Sequence, residues 1–247
     1  MRRFMATFLC DVRLQWRNGF YAATVVLALF LILVLDNLPP SLAALLLPVV
    51  IVNNLIVNGF YFISGLVLLE KGEGTLRMQV VTPLRPAEYL AAKGASLVLL
   101  SLLENVALVL VVRGSGFQPF WLLAGVSLGA LFYTLAGFTL VSRYHGVGEF
   151  LLPSFLYTAL LAMPLLPYFG ITDNVGIVRT ATYAHPLQPV LTLLQGAMEA
   201  SLSPAQGVVA LAAGTLWTAV AFVLARRAFE RFVRAEVGLQ GGASGSS

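Results

Sequence analysis

Long apolar runs separated by short polar punctuation dominate this chain, and their lengths suit helices that cross a membrane. A bilayer core of about 30 Å takes roughly 20 apolar residues per helix. On that measure six crossings are predicted, over 20–36, 43–69, 91–112, 118–142, 150–171 and 205–225. Ahead of the first run, Phe4, Met5, Phe8, Leu9, Val12 and Trp16 recur at helical spacing, with Arg2, Arg3, Arg13 and Arg17 largely off that stripe. The pattern predicts an amphipathic helix lying in the membrane interface. The far end of the first run, Leu35-Asp36-Asn37-Leu38-Pro39, lacks the small-residue pattern of a signal cleavage site, so that run is read as a retained helix. After the fifth run, 172–204 is too apolar for a plain loop. Pro189 to Ala200 reads as a short helix begun by proline, within an external re-entrant hairpin that must pack on protein because irregular backbone is not tolerated against lipid. Residues 1–237 are thus expected to form one all-α membrane domain. The remaining 238–247, ending in Gly241-Gly242-Ala243-Ser244-Gly245-Ser246-Ser247, have the composition of a flexible linker or expression remnant and are left out of the fold.

Composition removes the soluble alternative. Of the 247 residues 59% are hydrophobic and 11% charged, with a mean hydropathy of +0.88; a soluble domain carries about 25% charged residues. Too few ionisable side chains remain to clothe a water-facing surface. Thirteen of the fifteen basic residues fall before the first run, between the second and third, after the fourth or after the sixth, and only Arg113 and Arg179 fall on the other side. That asymmetry predicts a multi-pass protein of the plasma or inner membrane with both termini and the 70–93 loop in the cytoplasm. It also accounts for the net charge of +4 without nucleic acid, which is not expected as a partner. The single cysteine, Cys10, excludes an internal disulfide and a multi-cysteine zinc site.

Tests for chemistry within the chain return little. A phosphate-cradling Gly-x-x-x-x-Gly-Lys-Ser/Thr loop is missing: the two lysines are Lys71, after Glu70, and Lys93, after Ala92. The chain is therefore not its own ATPase. Gly125-Val126-Ser127-Leu128-Gly129 fits the pattern of a serine hydrolase, but the base such a nucleophile needs would have to be His145, in a cytoplasmic loop, or His185, outside. Close packing of helices on Gly-x-x-x-Gly explains the same residues. The two histidines fall on opposite sides of the membrane, so no shared metal site is expected. Glu104, beside Asn105, is the acid deep in a crossing, and an ionised carboxylate there costs roughly 2.5–3.5 kcal/mol. The second run carries Asn53, Asn54 and Asn58, with Asn54 and Asn58 one turn apart and Asn54 at a depth comparable to Glu104. Asn54, Asn58 and Glu104 either line a pathway for substrate or protons, or form an interhelical hydrogen bond worth about 0.6 kcal/mol that only fixes packing.

The most distinctive segment runs from Leu68 to Lys93. Gly72 and Gly74 are expected to interrupt the helix leaving the membrane, and Thr82-Pro83 supplies an N-cap with proline at the first helical position, which predicts a short cytoplasmic helix from about Pro83. Glu70, the Gly74-Thr75-Leu76 run, Thr82-Pro83 and Tyr89-Leu90 followed by Lys93 resemble the type 2 ATP-binding-cassette permease family, also called type V exporters. The stretch from Asp11 to Tyr21 is similar to small permeases known as fluoroquinolone exporters. The resemblance implies a half-transporter, not an enzyme in itself: two permease chains, as a homodimer or heterodimer, form a pathway in the lipid bilayer above separate cytoplasmic ATP-binding subunits that hold ATP and magnesium. It implies that Thr82, Pro83, Leu84, Arg85, Pro86, Ala87, Glu88 and Tyr89 form the coupling helix seated on the ATPase. Glu70, Gly74, Thr75 and Arg77 become a motif at the membrane exit, with Glu70 and Arg77 placed for ionic contacts to the amphipathic helix or the ATPase. No external segment is long enough for the large domain of macrolide-type exporters, which leaves small drugs, lipids or natural products as cargo. A membrane-bound immunity or scaffold protein that never transports is the alternative from another class, and an intramembrane hydrolase is the third reading.

Overall fold

The computed structural model describes residues 2–74, 85–171, 176–199 and 202–243. All regular structure among the described residues is helical. The elements are α1 (Arg2–Arg17), α2 (Phe20–Asp36), α3 (Pro40–Leu55), a π-helical stretch (Ile56–Tyr61), α4 (Phe62–Gly72), α5 (Pro86–Arg113), α6 (Pro119–Val141), α7 (Val147–Leu161), α8 (Leu165–Tyr168), α9 (Gly176–Tyr183), α10 (Leu187–Glu199) and α11 (Pro204–Ala243). Prolines at or next to the first turn open α3, α5, α6 and α11, where the missing N–H has no partner to lose.

Among the described residues four helices are long and apolar enough to cross a membrane singly: Pro40–Gly72, Pro86–Arg113, Pro119–Val141 and Pro204–Val233. The count rises to five if α1 and α2, bent by 63° at Gly19, are taken together. Gly19 holds a left-handed φ of 76°, a conformation glycine adopts without steric cost. By length alone, then, six continuous crossings are not reproduced. The α2 helix has 17 residues, and at about 1.5 Å per residue it falls just short of the bilayer core. The expected run over 150–171 is not one helix: α7 stops at Leu161 after 15 residues, and the chain turns before the four-residue α8. Pro164 and Pro167 are the reason, since proline disfavours a helical residue before it and supplies no N–H to the ladder.

Apolar side chains make up both the buried core and the outer face of this bundle, and a smaller set of polar side chains is enclosed within it. Val26, Leu29 and Leu33 on α2, Leu152 and Phe155 on α7, and Val208 and Val209 on α11 are all exposed, as lipid-facing surfaces require. Asn54, Asn58, Lys93, Ser96, Ser101 and Asn105 are almost wholly buried. The centre is α6, which packs against α5, α10, α11 and the π-helical stretch. Its glycines permit that approach: a Cβ at Gly137 would sit 2.6 Å from the Phe60 carbonyl oxygen, and one at Gly129 would sit 2.6 Å from Leu55 Cδ1. Gly125 is similarly close to Leu193 and Leu194 of α10. The Gly125–Gly129 pattern thus serves helix packing.

The hairpin segment before the last crossing contains α9 and α10. The α10 helix begins at Leu187, two residues ahead of the expected Pro189, and is covered on its Leu187, Val190, Leu191 and Leu194 side. Its end is tied to the start of α6, where Gln118 N–H donates to the Ala197 carbonyl at 2.8 Å. The α11 helix continues to Ala243 and so takes in 238–243 of the expected tail; that stretch holds three glycines but no proline to stop it.

Candidate functional site

Two polar assemblies stand out, one at the start of α5 and one deeper along it. The first is organised by Lys93, which is 1% exposed. Its Nζ donates to Glu70 Oε1 of α4 at 2.6 Å and to Asp11 Oδ1 of α1 at 2.9 Å. One turn earlier on α5, the Tyr89 hydroxyl donates to Glu70 Oε2 at 2.7 Å, and the Lys93 ammonium lies 5.0 Å from the centre of the Tyr89 ring. One turn the other way, Gln15 Nε2 of α1 donates to Ser96 Oγ at 2.8 Å. A lysine between two carboxylates in a dry setting compensates each of them only if held in close geometry, and here three helices are needed to provide it.

The α1 helix can serve this cluster because its circumference divides into three sectors. Asp11 and Gln15 are buried toward α5; Met5, Leu9 and Trp16 are exposed on a second side; Arg13 and Arg17 are exposed on a third. The apolar stripe read from sequence is thus free to face lipid, and the polar residues beside it make the attachment to protein. Around the same base, Lys71 Nζ donates to the carbonyls of Val141, Ser142 and Tyr144 at 3.1, 3.1 and 2.7 Å, closing the C-terminal end of α6 with a cation as the helix dipole favours. Phe138 stacks on Phe229, and Tyr89 meets Phe138 edge-on and Phe229 at a tilt, which brings α11 into the same unit.

The second assembly joins α2, the α3–π stretch and α5. Asn58 Nδ2 donates to Glu104 Oε2, Asn54 Nδ2 donates to Asn105 Oδ1 at 3.2 Å, and Thr24 Oγ1 reaches Asn58 Oδ1 at 3.4 Å. Asn105 Nδ2 turns back to the Ser101 carbonyl at 2.8 Å. Among the described residues Glu104 Oε1, Asn54 Oδ1 and Ser101 Oγ are buried without a hydrogen-bond partner. The π-helical turn carries Asn58 and widens the helix where it meets Glu104, the kind of distortion often retained at functional sites.

Of the residues singled out by sequence, the structure brings Asn54, Asn58 and Glu104 into this one assembly, with Glu104 paired to Asn58 and Asn54 to Asn105. Glu70 is brought to α1 through Lys93. Gly72 does not break the helix but is its last residue, and the turn comes at Gly74 with φ 71°. Thr75, Arg77, Thr82, Pro83 and Leu84 lie outside the described residues. From Pro86 the chain is one helix with the third crossing; Arg85 is exposed, its N–H donates to Glu88 Oε2 at 3.2 Å, and Pro86 and Ala87 complete the first turn. Tyr89 is 1% exposed, so its side chain serves the Glu70 cluster and offers no surface to another protein. Asp11, Gln15, Lys93 and Ser96 were missed as site residues; Tyr89 and Lys93 at i and i+4, facing a glutamate at the foot of the preceding crossing, were the available signal. His145 is exposed. His185 Nδ1 accepts the Leu187 N–H at 3.2 Å, and burial holds its imidazole below the usual range, with a backbone bond to Leu160 opposing. Among the described residues no hydrogen bond joins either histidine to Ser127.

This apolar bundle, with a charged knot at one end and amide pairs within, is set beside known proteins by its sequence. A model of the fluoroquinolones export permease protein family matches residues 2–237. The chain belongs to that family. Relatives named as fluoroquinolones export permease proteins in two Mycobacterium tuberculosis strains, CDC 1551/Oshkosh and ATCC 25618/H37Rv, are each 35% identical over 208 residues, which is 83% of this chain and 86% of theirs. Membership agrees with the resemblance carried by Glu70, Gly74-Thr75-Leu76 and Tyr89–Lys93, and with the fluoroquinolone-exporter likeness of the Asp11–Tyr21 stretch. This family member is a multi-pass helical membrane permease, and both assemblies lie within the matched region.

Proposed function

We propose that this permease is the membrane half of an ATP-driven exporter of fluoroquinolone-like amphipathic drugs. The observation that carries the reading is the family match across 2–237, together with relatives named for fluoroquinolone export. In this reading the chain crosses the membrane six times with both termini in the cytoplasm, α7 and α8 jointly making the fifth crossing. It pairs with a second permease chain, and a separate ATP-binding subunit holds ATP and magnesium.

The coupling segment is Thr82–Tyr89, of which Arg85, Pro86, Ala87 and Glu88 present the first turn of α5 to the ATPase. Motion delivered there passes directly to the Lys93 knot, because Tyr89 and Lys93 stand on the same helix. From the knot it reaches α4 through Glu70 and α1 through Asp11. Glu70, Gly74, Thr75 and Arg77 form the membrane-exit element that responds. Asn54, Asn58 and Glu104, farther along the same two crossings, line or shape the pathway.

Gentle-detergent affinity purification followed by mass spectrometry tests the assignment. A stoichiometric soluble partner bearing a P-loop is expected, and its composition with one or two permease species decides homodimer from heterodimer. A preparation free of any ATPase would overturn the reading in favour of a non-transporting membrane protein. Glu88→Ala and Arg85→Ala are expected to leave membrane insertion intact while lowering the drug moved per ATP hydrolysed; unchanged coupling in both would remove the coupling role from this turn.

A further inference from the structure

At the end of the bundle away from the Lys93 knot, two clefts share a wall. The first, of about 560 Å³, lies between the broken helix, at Pro164, Pro167 and Tyr168, and the α9–α10 pair, at Thr182, Gln188 and Gln195. The second, of about 380 Å³, lies between α10 and α11 and is floored by Pro189, Val209, Ala210 and Ala213. Tyr183 and Gln188 line both. Val208 and Val209 beside the second cleft are exposed on the lipid-facing side of α11, so this cleft opens where apolar molecules dissolve. The first cleft offers the amides of Gln188 and Gln195. Either volume falls within the roughly 300–1,000 Å³ of small-molecule sites.

We propose that the paired clefts bind an aromatic amphiphile, with its ring body against α11, its polar end among Gln188 and Gln195, and its waist on the exposed Tyr183 ring. Several observations select this occupant. Amide side chains stand in both linings, Gln188 and Gln195 in the first and Gln188 and Gln206 in the second, which suits a ligand with a polar end. A lipid tail would leave Gln188 and Gln195 facing hydrocarbon, whereas a polar ligand end satisfies them. An aromatic body gains from Tyr183 beyond the area it buries. The short α8 wall, pinned to α3 by the Tyr168 hydroxyl donating to the Leu45 carbonyl at 2.7 Å, fixes the far side. This site rests on the export reading and supplies it with a subsite between the outer lipid leaflet and the exterior.

The test uses the permease complex in lipid nanodiscs and norfloxacin, whose own fluorescence reports capture. Gln188→Leu and Gln195→Trp, one removing an amide and one filling the first cleft, are expected to weaken capture about fivefold to tenfold, with Leu156→Ala, on the exposed face of α7, unchanged. In a Cys10→Ser, Ala205→Cys chain, with the cysteine on the wall of the second cleft, the drug is expected to slow maleimide labelling, a readout that does not depend on either cleft variant folding well. Capture by the wild type that persists within twofold in both cleft variants, with labelling unaffected, overturns the site; so does a wild type that captures no norfloxacin. ATP-driven export by the wild type, measured separately, decides the permease reading on its own.

Discussion

The Lys93 knot and the Glu104 assembly both place a carboxylate in a dry bundle, yet they solve the problem in opposite ways. At the foot of α5, Glu70 and Asp11 are met by a cation, a phenol and a second layer of hydrogen bonds. Deeper along α5, Glu104 is met by the amide of Asn58 and by no cation; each assembly keeps a buried carboxylate oxygen without a partner, Asp11 Oδ2 in the first and Glu104 Oε1 in the second. The first arrangement is a joint between helices, because removing the lysine strands two carboxylates at once. The second is a softer contact in which an amide stands where a formal counter-charge would be. Position along the helix explains the division: near the interface a lysine can be inserted and snorkel during assembly, whereas mid-bilayer a full ion pair carries the larger insertion cost.

The widest separation between the two should appear on removing the cation. Lys93→Met is expected to lower stability by about 3–5 kcal/mol by stranding Glu70 and Asp11, read as a large fall in melting temperature in detergent. Combining it with Asp11→Asn and Glu70→Gln should restore much of that loss, since an uncharged set has nothing to strand; no recovery would mean that packing, not charge, holds the joint. Asn58→Leu probes the second assembly and is expected to cost about 1 kcal/mol, in the range of membrane hydrogen bonds. Glu104→Gln should cost about 0.6 kcal/mol or less while changing drug transport or apparent affinity. Wild-type transport kinetics in that variant would reduce the assembly to a packing contact.

The α9–α10 pair supplies the smallest effect. Because burial depresses the His185 imidazole, the folded state binds fewer protons there than the unfolded chain. Its contribution to stability is full above about pH 6.5, the ordinary histidine value, and is lost as pH falls through the folded value. A shallow decline in melting temperature below that pH, abolished in His185→Gln, is expected.

The fold was legible where hydrophobic runs are long. Pro40–Gly72, Pro86–Arg113, Pro119–Val141 and Pro204–Val233 coincide with runs whose apolarity alone sets their length. The break in 150–171 was less legible because apolar content hides it, although Pro164 and Pro167 carried the signal. For the site, composition identified Glu104 and the asparagines, yet depth counting along a uniform helix could not anticipate a π-helical turn, and so favoured Asn54 over Asn58 as the partner. Lys93 was counted toward orientation, where any cytoplasmic lysine serves. Its pairing depends on α1 folding back across α5, a tertiary fact that charge counting cannot contain. Asp11 was hidden similarly, at the edge of an apolar stripe whose purpose is to meet lipid.

In the proposed exporter, the Glu70–Lys93–Asp11 knot transmits the motion of the ATP-binding subunit to the crossings. Tyr89→Phe tests this most directly, because it deletes a single hydroxyl bond to Glu70 while keeping the ring contacts with Phe138 and Phe229. Norfloxacin uptake per ATP hydrolysed should be measured in inverted vesicles carrying the complete complex. The account predicts that hydrolysis persists while drug moved per ATP falls several-fold; a variant that keeps the wild-type ratio would contradict it.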